Sequence, residues 1–404
     1  AKGCPWMMKL SERTKGIKPS ITLALAAKAA AMRAQGIGVI NFAAGEPDFD
    51  TPNRIKEAAV QALKNGMTKY TEVRGIQPLR EAIAEKYQRD EGLKYDKDEV
   101  LVSCGGKHSL YNVFQAVLND GDEVLIPAPY WVSYRDMALL AGAVPRIVET
   151  KRENGYRITP KELQAALGPR VRVFILNSPN NPTGAAYSRD ELEALAQVLE
   201  RHECFIISDD VYEKIVYDGF RFQNIVGING KLRERTVIIN SLSKTYAMTG
   251  WRIGYALGPA PLISTAAKIQ SQSTSNPTSF AQAASVEALK GPQDEMREMV
   301  REFQRRRDRI VEGLNAMEGV ECPNPEGAFY VFPRIGSLFG KKGKKAKIVS
   351  ASDLTDFLLE EAQVVAVPGE DFGSADHVRF SYATSFEDIE RGCDRIEAAL
   401  KKLS

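Results

Sequence analysis

The sequence predicts an α/β fold with a largely parallel central sheet, followed by a smaller α+β unit. Strand-like runs rich in β-branched or aromatic residues alternate with helical patterns, as expected where helices connect parallel strands. The clearest runs are buried strands at 171–176, 205–207 and 237–239, and each ends in polar residues. Ligands of open α/β sheets lie beyond the carboxyl ends of the strands, so these three ends are the first places to look for chemistry.

The N-terminal third is predicted to open with an Ala-rich helix over 20–35, which Gly36 ends. Thr51 and Pro52 are predicted as the N-cap and first residue of a second helix that stops near Gly66. Three further strands are predicted at 101–103, 124–126 and 144–148. The first of them is followed by a predicted helix from the Gly105-Gly106 pair through Leu118.

The C-terminal part is predicted to begin with one long charged helix from Pro292 to about Met317. The elements expected after it are a strand at 329–332, a helix from Ser352, strands at 364–367 and 378–381, and a last helix from Phe386. The basic stretches at 341–347 and 305–309 are interpreted as a solvated loop and a solvated helix face.

Composition excludes several classes of protein. The chain has 404 residues, and 54 Lys plus Arg against 52 Asp plus Glu give a net charge of +2, which argues against nucleic-acid binding. No apolar run approaches the roughly 18 residues that span a bilayer. Three His and five widely spaced Cys predict neither a metal site nor a disulfide framework. The length allows about two or three domains.

The residues after the 237–239 strand carry the first chemical signal. Ser241, Ser243 and Arg252 offer hydroxyl and guanidinium groups that suit a phosphate. Lys244 lies among them, and a lysine near other cations has a lowered pKa and can form a Schiff base. Alone, this cluster could equally be a solvated loop.

Polar groups follow the other two strands as well. Asp209 could pair with a pyridinium nitrogen and Tyr212 with a phenolic oxygen, although alone they would be a helix N-cap and a core tyrosine. Asn181 lies in the segment 180–184, which alone would be a turn. The three strand ends together, in this order, favour a cofactor site.

These blocks resemble the fold type I, pyridoxal 5'-phosphate (PLP)-dependent aminotransferases of class I/II. The resemblance is closest to the aspartate aminotransferase subgroup that includes prephenate aminotransferases. It runs in order from about residue 10 to the C-terminus, and its most specific block is 241–254. The other resembling stretches are 44–49, 69–71, 105–107, 129–134, 177–184, 208–213, 327–330 and 378–383.

The resemblance implies a role for each matching residue. Lys244 would hold PLP covalently and transfer the proton, and Asp209 would pair with the pyridine nitrogen. Tyr212 and Asn181 would bond the phenolic oxygen of the ring, and Trp131 would stack on it. The remaining cofactor-binding residues would be Gly105, Gly106, Lys107, Ser241, Ser243 and Arg252. Tyr70 would reach the phosphate in a neighbouring subunit, so the protein would be a homodimer with shared active sites.

The same resemblance implies the substrate contacts. Arg379 would clamp the α-carboxylate, helped by Asn181 and the backbone near Gly45, with Trp131 also in the pocket. The distal carboxylate of a dicarboxylic substrate would meet Lys107, Ser20 and Thr22. This favours aspartate and glutamate with their 2-oxo acids. Prephenate is a serious second substrate, and aromatic substrates remain possible.

The resemblance also implies a domain division: an N-terminal segment over 1–50 that joins the small domain, a large PLP-binding domain over 51–300 and a C-terminal small domain over 301–404. A cytoplasmic location is expected, or an organelle stroma if a transit peptide was removed. The rival activities are a PLP-dependent β-lyase and a non-catalytic regulator. A nicotinamide dehydrogenase is set aside because the Gly36-x-Gly38 pair does not continue to the fingerprint.

Overall fold

The computed structural model describes residues 10–19, 21–343 and 347–404, without the side chains of Thr22, Leu23 and Ala26. The α-helices are α1 (Ile21–Ala34), α2 (Asn53–Lys64), α3 (Gln77–Glu91), α4 (Gly106–Val117), α5 (Ser133–Leu140), α6 (Pro160–Ala166), α7 (Arg189–Leu199), α8 (Ile225–Ile228), α9 (Leu242–Thr245), α10 (Ala260–Ser271), α11 (Ser279–Lys290), α12 (Asp294–Asn315), α13 (Ala351–Ala362) and α14 (Phe386–Leu400). The strands are β1 (Ile40–Asn41), β2 (Val100–Ser103), β3 (Glu123–Ala128), β4 (Val144–Glu149), β5 (Val171–Asn177), β6 (Phe205–Asp209), β7 (Thr236–Ser241), β8 (Gly254–Leu257), β9 (Tyr330–Val331), β10 (Val364–Val365), β11 (Val367–Pro368) and β12 (Val378–Ser381).

A seven-stranded sheet forms the centre of the fold, in the order β2-β8-β7-β6-β5-β3-β4. Strands β3 to β7 pair in parallel, and β8 runs antiparallel to both of its neighbours. The α/β prediction and the six predicted strands of this sheet are confirmed. Strand β8 was not predicted, because its four residues directly follow the Arg252 motif and carry no strand pattern of their own.

Helices cover both faces of the central sheet, which explains its continuous apolar strands. In β5, Val173 and Ile175 pack in a core with residues of α4, α5 and α10. Phe174 and Leu176, which point the other way, pack in a second core with residues of α6 and α7. Alternate residues of one strand therefore serve two separate cores, and the strand ends project polar residues beyond them.

The C-terminal part forms the smaller α+β unit that the sequence predicts. Strand β1 from the N-terminal segment pairs in parallel with β10, and β11, β12 and β9 form an antiparallel sheet. The prediction of a single strand at 364–367 is wrong. The segment forms two strands, β10 and β11, which are separated by Ala366 and pair with different strands. The domain boundaries at 50 and 300 stay predictions.

The predicted start of the second helix is also wrong by one residue. The N-cap is Pro52 and the helix begins at Asn53. The Thr51 hydroxyl instead donates to Ala247 O (2.6 Å) and accepts from Trp251 Nε1 (3.0 Å). These distant partners hold the hydroxyl away from the helix end, so it cannot cap.

Two arginines of the predicted solvated helix face are buried. Arg306 is 6% exposed and binds Asp48 (2.7 Å), and Arg307 is 2% exposed and binds Asp218 (2.6 Å). Their acidic partners come from distant parts of the chain, which a local charge pattern cannot reveal. In the predicted basic loop at 341–347, residues 344–346 lie outside the described residues.

Among the residues that the structure describes, no helix is both long and apolar enough to cross a membrane.

Candidate active site

A cavity of about 580 Å³ lies at the carboxyl ends of β5, β6 and β7. It brings together the three polar strand ends that the sequence indicated, as the geometry of parallel strands requires. Its lining is Asn41, Ala43, Ala44, Gly45, Glu46, Gly106, Lys107, Trp131, Tyr134, Asn177, Asn181, Asp209, Val211, Tyr212, Ile239, Ser241, Ser243, Lys244, Thr249, Arg252, Tyr330 and Arg379.

Asp209, the last residue of β6, provides a buried carboxylate in this cavity. Its Oδ2 accepts a 2.5 Å hydrogen bond from the Tyr134 hydroxyl, and its Oδ1 accepts one from Val211 N (3.4 Å). Burial raises the pKa of Asp209 to about 6, while the Tyr134 bond opposes that rise. Asp209 is therefore ionised at neutral pH, and Tyr134 helps to keep it so.

Tyr212 and Tyr330 meet on another wall of the cavity. Their hydroxyls are 2.9 Å apart and their rings are nearly perpendicular, with centroids 5.8 Å apart. Tyr212 follows β6 in the large sheet, whereas Tyr330 belongs to β9 in the C-terminal unit. Both are buried, so the phenols of two separate sheets are fixed side by side.

Lys244 lies in α9, one turn after the end of β7. Its Nζ donates a hydrogen bond to Gly45 O. Burial lowers the pKa of Lys244 to about 8. The charge of Glu46 opposes this fall, and the charge of Arg379 adds to it. A sizeable fraction of this lysine is thus an uncharged amine, able to act as a nucleophile or base near neutral pH.

One end of the cavity is suited to an anion. The first turn of α4 begins at Gly106, so its free backbone N–H groups and the helix dipole face that end. Arg252 donates to Thr249 O (2.8 Å) and to Cys104 O (3.3 Å), which fixes its guanidinium. A Cβ at Gly254 would lie 2.0 Å from Gly106 N, so β8 and the start of α4 approach as closely as glycine allows.

Arg379 on β12 provides a second cationic group, and it is 1% exposed. It donates to Asn181 Oδ1 (2.9 Å) and to Ala43 O (3.1 Å). Its Nε has no hydrogen-bond partner among the described residues. Asn177 supports the arrangement, because its side chain accepts from Asn181 N (3.0 Å) and donates to Asp209 O (3.0 Å). A buried guanidinium with an unpaired N–H suits a carboxylate ligand.

Lys107 lies in the first turn of α4 with its Nζ 4.9 Å from the centroid of the Trp131 ring. Burial lowers its pKa, and the nearby Arg252 adds to that effect. Trp131 packs edge-on against Tyr134, with ring centroids 5.3 Å apart. The cavity therefore has a third cation beside an aromatic wall.

Two of the predicted residues that the structure describes do not line the cavity of the single chain. Tyr70 is 91% exposed and lies elsewhere on the surface. Gly105 lies just behind the lining, where a Cβ would be 2.3 Å from Arg252 Nη2. Ser20 and the side chain of Thr22 lie outside the described residues. All the other predicted site residues line the cavity.

The sequence reasoning gave no role to Tyr134, Tyr330, Ala43, Asn177 or Glu46. Tyr134 and Tyr330 lie within the quoted blocks 129–134 and 327–330, so their proximity to the predicted site residues was the available signal. Ala43 contributes a backbone carbonyl, for which a side-chain pattern carries no signal.

The groups in the cavity fit PLP, the cofactor that the resemblance implies. A phosphorylated pyridine aldehyde requires an anion-binding end, an acidic partner for its ring nitrogen and an amine for its carbonyl. Arg252, Asp209 and Lys244 provide these three features in one cavity.

Comparisons with known proteins agree with this chemistry. Residues 37–396 match the family described as aminotransferase class I and II. An aspartate/prephenate aminotransferase of Cereibacter sphaeroides is 52% identical over 400 residues, covering 98% of this chain and 100% of the relative. An aspartate aminotransferase of Geobacillus stearothermophilus is 45% identical over 389 residues, covering 96% and 98%.

Solved structures agree with the fold as well. The crystal structure of the aspartate aminotransferase from Rhizobium meliloti has a TM-score of 0.95 at 47% identity, covering 98% of this chain and 100% of that one. That of Thermus thermophilus, determined with maleate, has a TM-score of 0.91 at 43% identity, covering 97% and 100%. The chain therefore belongs to the class I and II aminotransferases and has their fold type I architecture.

Proposed function

We propose that this transaminase uses PLP to move the α-amino group between a dicarboxylic amino acid, aspartate or glutamate, and a 2-oxo acid by a ping-pong mechanism. The observation that carries the proposal is the distribution of charge in one cavity. Arg379 and Lys107 offer two separate cations for two carboxylates, and the amine of Lys244 lines the same cavity. A substrate with one carboxylate would leave one of those cations without a partner.

Arg379 binds the α-carboxylate in this proposal. Its contacts with Asn181 and Ala43 hold the guanidinium in place, and its unpaired Nε–H is free to donate to the incoming oxygen. Because the group is already buried and oriented, substrate binding requires little reorganisation of the protein.

Lys244 transfers the proton. The uncharged amine takes the α-proton from the substrate and later returns it, which its pKa of about 8 allows near neutral pH. With PLP bound, Asp209 would pair as an anion with the ring nitrogen, and Tyr212 would donate to the phenolic oxygen of the ring. Bound PLP supplies a carbonyl for the amino group and a conjugated ring that takes up the electrons of the broken bond.

Lys107 is the proposed partner of the distal carboxylate. Its ammonium group is partly desolvated beside Trp131, so its attraction for a carboxylate is stronger there than in water. The Thermus thermophilus neighbour was determined with maleate, a dicarboxylate, and the Rhizobium meliloti neighbour is an aspartate aminotransferase. Ser20 and Thr22 stay predicted additional contacts.

Prephenate is the second candidate substrate. The Cereibacter sphaeroides relative is named aspartate/prephenate aminotransferase, and this observation favours prephenate over aromatic substrates. Prephenate carries a carboxylate on its ring in addition to that of its keto-acid side chain, so Lys107 would serve both substrates. A β-lyase activity has no comparable support.

A panel of half-reactions tests the proposal. Purified protein loaded with PLP is mixed with aspartate, glutamate, arogenate or phenylalanine, and the change in cofactor absorption is followed together with the keto acid released. We expect one keto acid per active site with aspartate and glutamate. Release of pyruvate and ammonia would identify a lyase. No spectral change with any amino acid would refute the aminotransferase proposal.

We further propose a homodimer with shared active sites, working in the cytoplasm. The resemblance implies that Tyr70 reaches the phosphate of a neighbouring subunit, and its 91% exposed side chain is available for such a contact. Co-refolding Lys244→Ala chains with Tyr70→Ala chains tests this, since a hybrid dimer has one site with both residues intact. Recovery of up to a quarter of the wild-type activity supports sharing, and no recovery refutes it.

A further inference from the structure

A buried charged pair lies next to the active site but outside the cavity lining. Glu213 lies in the turn after β6, Lys86 lies in α3, and each is 3% exposed. The Lys86 Nζ forms an ion pair with Glu213 Oε1. That same oxygen accepts a hydrogen bond from Asn240 Nδ2 (2.9 Å). Neither charged residue has a part in the chemistry proposed above.

Asn240 links this pair to the turn after β7. Its Oδ1 accepts a 2.7 Å hydrogen bond from Ser241 N, and its Nδ2 also donates to Tyr87 OH (3.1 Å). Glu213 directly follows Tyr212 in the chain. A short series of polar contacts therefore joins the turn that contains Tyr212, a proposed ring-binding residue, to Ser241 at the end of β7, a proposed phosphate-binding residue.

Acidic groups crowd this region. The carboxylate of Asp210 is held by Ser208 Oγ (2.7 Å) and Asn224 Nδ2 (2.6 Å). Burial raises the pKa of Asp210 well above its ordinary value, and the charge of Glu213 adds to the rise. Burial and Glu213 likewise raise the pKa of Glu91 to about 7. Lys86 is thus a buried cation that, together with the partly buried Lys214, offsets a concentrated negative charge.

Such a pair contributes little to stability, because desolvation of both ions offsets their attraction. Its geometric effect is larger, since a short ion pair between two buried groups holds their backbones in register. We propose that Glu213, paired with Lys86 of α3, is a positioning residue that holds the turn after β6 against the end of β7 through Asn240, so that the ring-binding and phosphate-binding groups fit one cofactor. The inference rests on the proposed use of PLP.

The test separates positioning from folding. The double variant K86M/E213L replaces the pair with apolar residues of similar size, and E213Q keeps the shape while removing the charge. K290M is the control, because Lys290 forms an ion pair with Glu85 of the same helix α3 (2.9 Å) and not with Glu213. For each chain, the urea midpoint of the apoprotein, the Kd for PLP and the pH midpoint of the bound cofactor's absorption change are measured.

We expect K86M/E213L to unfold near the wild-type urea midpoint but to bind PLP about tenfold more weakly, with a shifted absorption midpoint. E213Q should change in the same direction, and K290M should match the wild type. Wild-type Kd and absorption midpoint in both E213Q and the double variant would overturn the inference. If the double variant does not fold, E213Q alone decides. Wild-type protein that binds no PLP would instead refute the proposed function.

Discussion

The Tyr134 hydroxyl donates a 2.5 Å hydrogen bond to Asp209 Oδ2, and neither residue is more than 6% exposed. Tyr134 lies in the first turn of α5, while Asp209 ends β6 in the middle of the sheet. A charge-assisted bond of this kind is worth about 2 kcal/mol in a buried site. Burial raises the pKa of the Asp209 carboxyl, and this hydrogen bond opposes that rise.

Tyr134→Phe tests this relationship. Loss of the hydroxyl should raise the pKa of Asp209 above about 6, so the acidic limb of the kcat/KM profile should move up by about one pH unit. The profile is measured with aspartate from pH 5 to 9. Tyr187→Phe is the control, because the Tyr187 hydroxyl accepts from Ile158 N in a different core. An unchanged acidic limb in Tyr134→Phe would contradict the role.

Asp209→Asn should stabilise the apoprotein while it impairs catalysis. Burial raises the pKa of Asp209 from 3.8 to about 6, so the folded chain holds this proton more tightly than the unfolded chain. The free energy of unfolding of the wild type, relative to that of Asp209→Asn, therefore falls by up to about 3 kcal/mol as the pH rises from about 4 to 6. Above pH 6 the difference stays at this lower value. Urea unfolding at pH 4 and pH 7.5 measures the difference. An equal difference at both pH values would refute the prediction.

The amine of Lys244 should react with PLP along a pH curve with its midpoint near 8, since only the uncharged form attacks the carbonyl. Borohydride reduction followed by peptide mapping measures the modified fraction at each pH. In Glu46→Gln the midpoint should fall, because Glu46 raises the pKa of Lys244. A midpoint near 10.5 in the wild type, or modification of another lysine, would argue against the assignment.

Lys107→Met should change the preference for dicarboxylic substrates more than it changes amino transfer in general. Loss of the ammonium removes a charge-assisted partner for the distal carboxylate, so kcat/KM for aspartate and glutamate should fall by about 10- to 100-fold. The value for phenylalanine should change far less. Lys64→Met, at an exposed position of α2, is the control for loss of one positive charge. A uniform fall for all substrates would show that Lys107 does not select dicarboxylates.

Gly254→Ala should damage the anion-binding end. The new Cβ would lie 2.0 Å from Gly106 N, so β8 or the first turn of α4 must shift. We expect a loss of about 1–3 kcal/mol in the free energy of unfolding and at least about tenfold weaker binding of PLP. Gly230→Ala is the control, because no atom lies within 4 Å of its Cβ position. Wild-type PLP affinity in Gly254→Ala would mean that the close approach does not matter.

The parallel strands and their polar ends were predictable because both depend on short local patterns. Val171 to Asn177, for example, combines a β-branched apolar run with a polar end, and parallel pairing then places such ends together. Contacts between distant segments were not predictable. The partner of Arg306 is Asp48, and that of Tyr212 is Tyr330, and no local pattern joins either pair.

The site itself was predictable to the extent that its residues lie in specific blocks. Lys244, Asp209 and Arg252 follow predicted strands within a family-like motif. Tyr134 was not assigned because its role depends on the packing of α5 against the end of β6, which only the three-dimensional arrangement shows. The backbone carbonyl of Ala43 could not be assigned for the same reason.

The hydrogen bond from Arg379 to Ala43 O joins residues that are 336 positions apart. During synthesis, the carbonyl leaves the ribosome long before the guanidinium that will bind it. At translation rates of about 5–20 residues per second, the interval is roughly 17 to 67 seconds. The nascent chain completes the turn around Arg252 earlier, so its phosphate-binding end can form before Arg379, the proposed clamp of the α-carboxylate, has been made. Cofactor capture could thus begin on the ribosome, whereas amino-acid binding must wait until β12 has emerged.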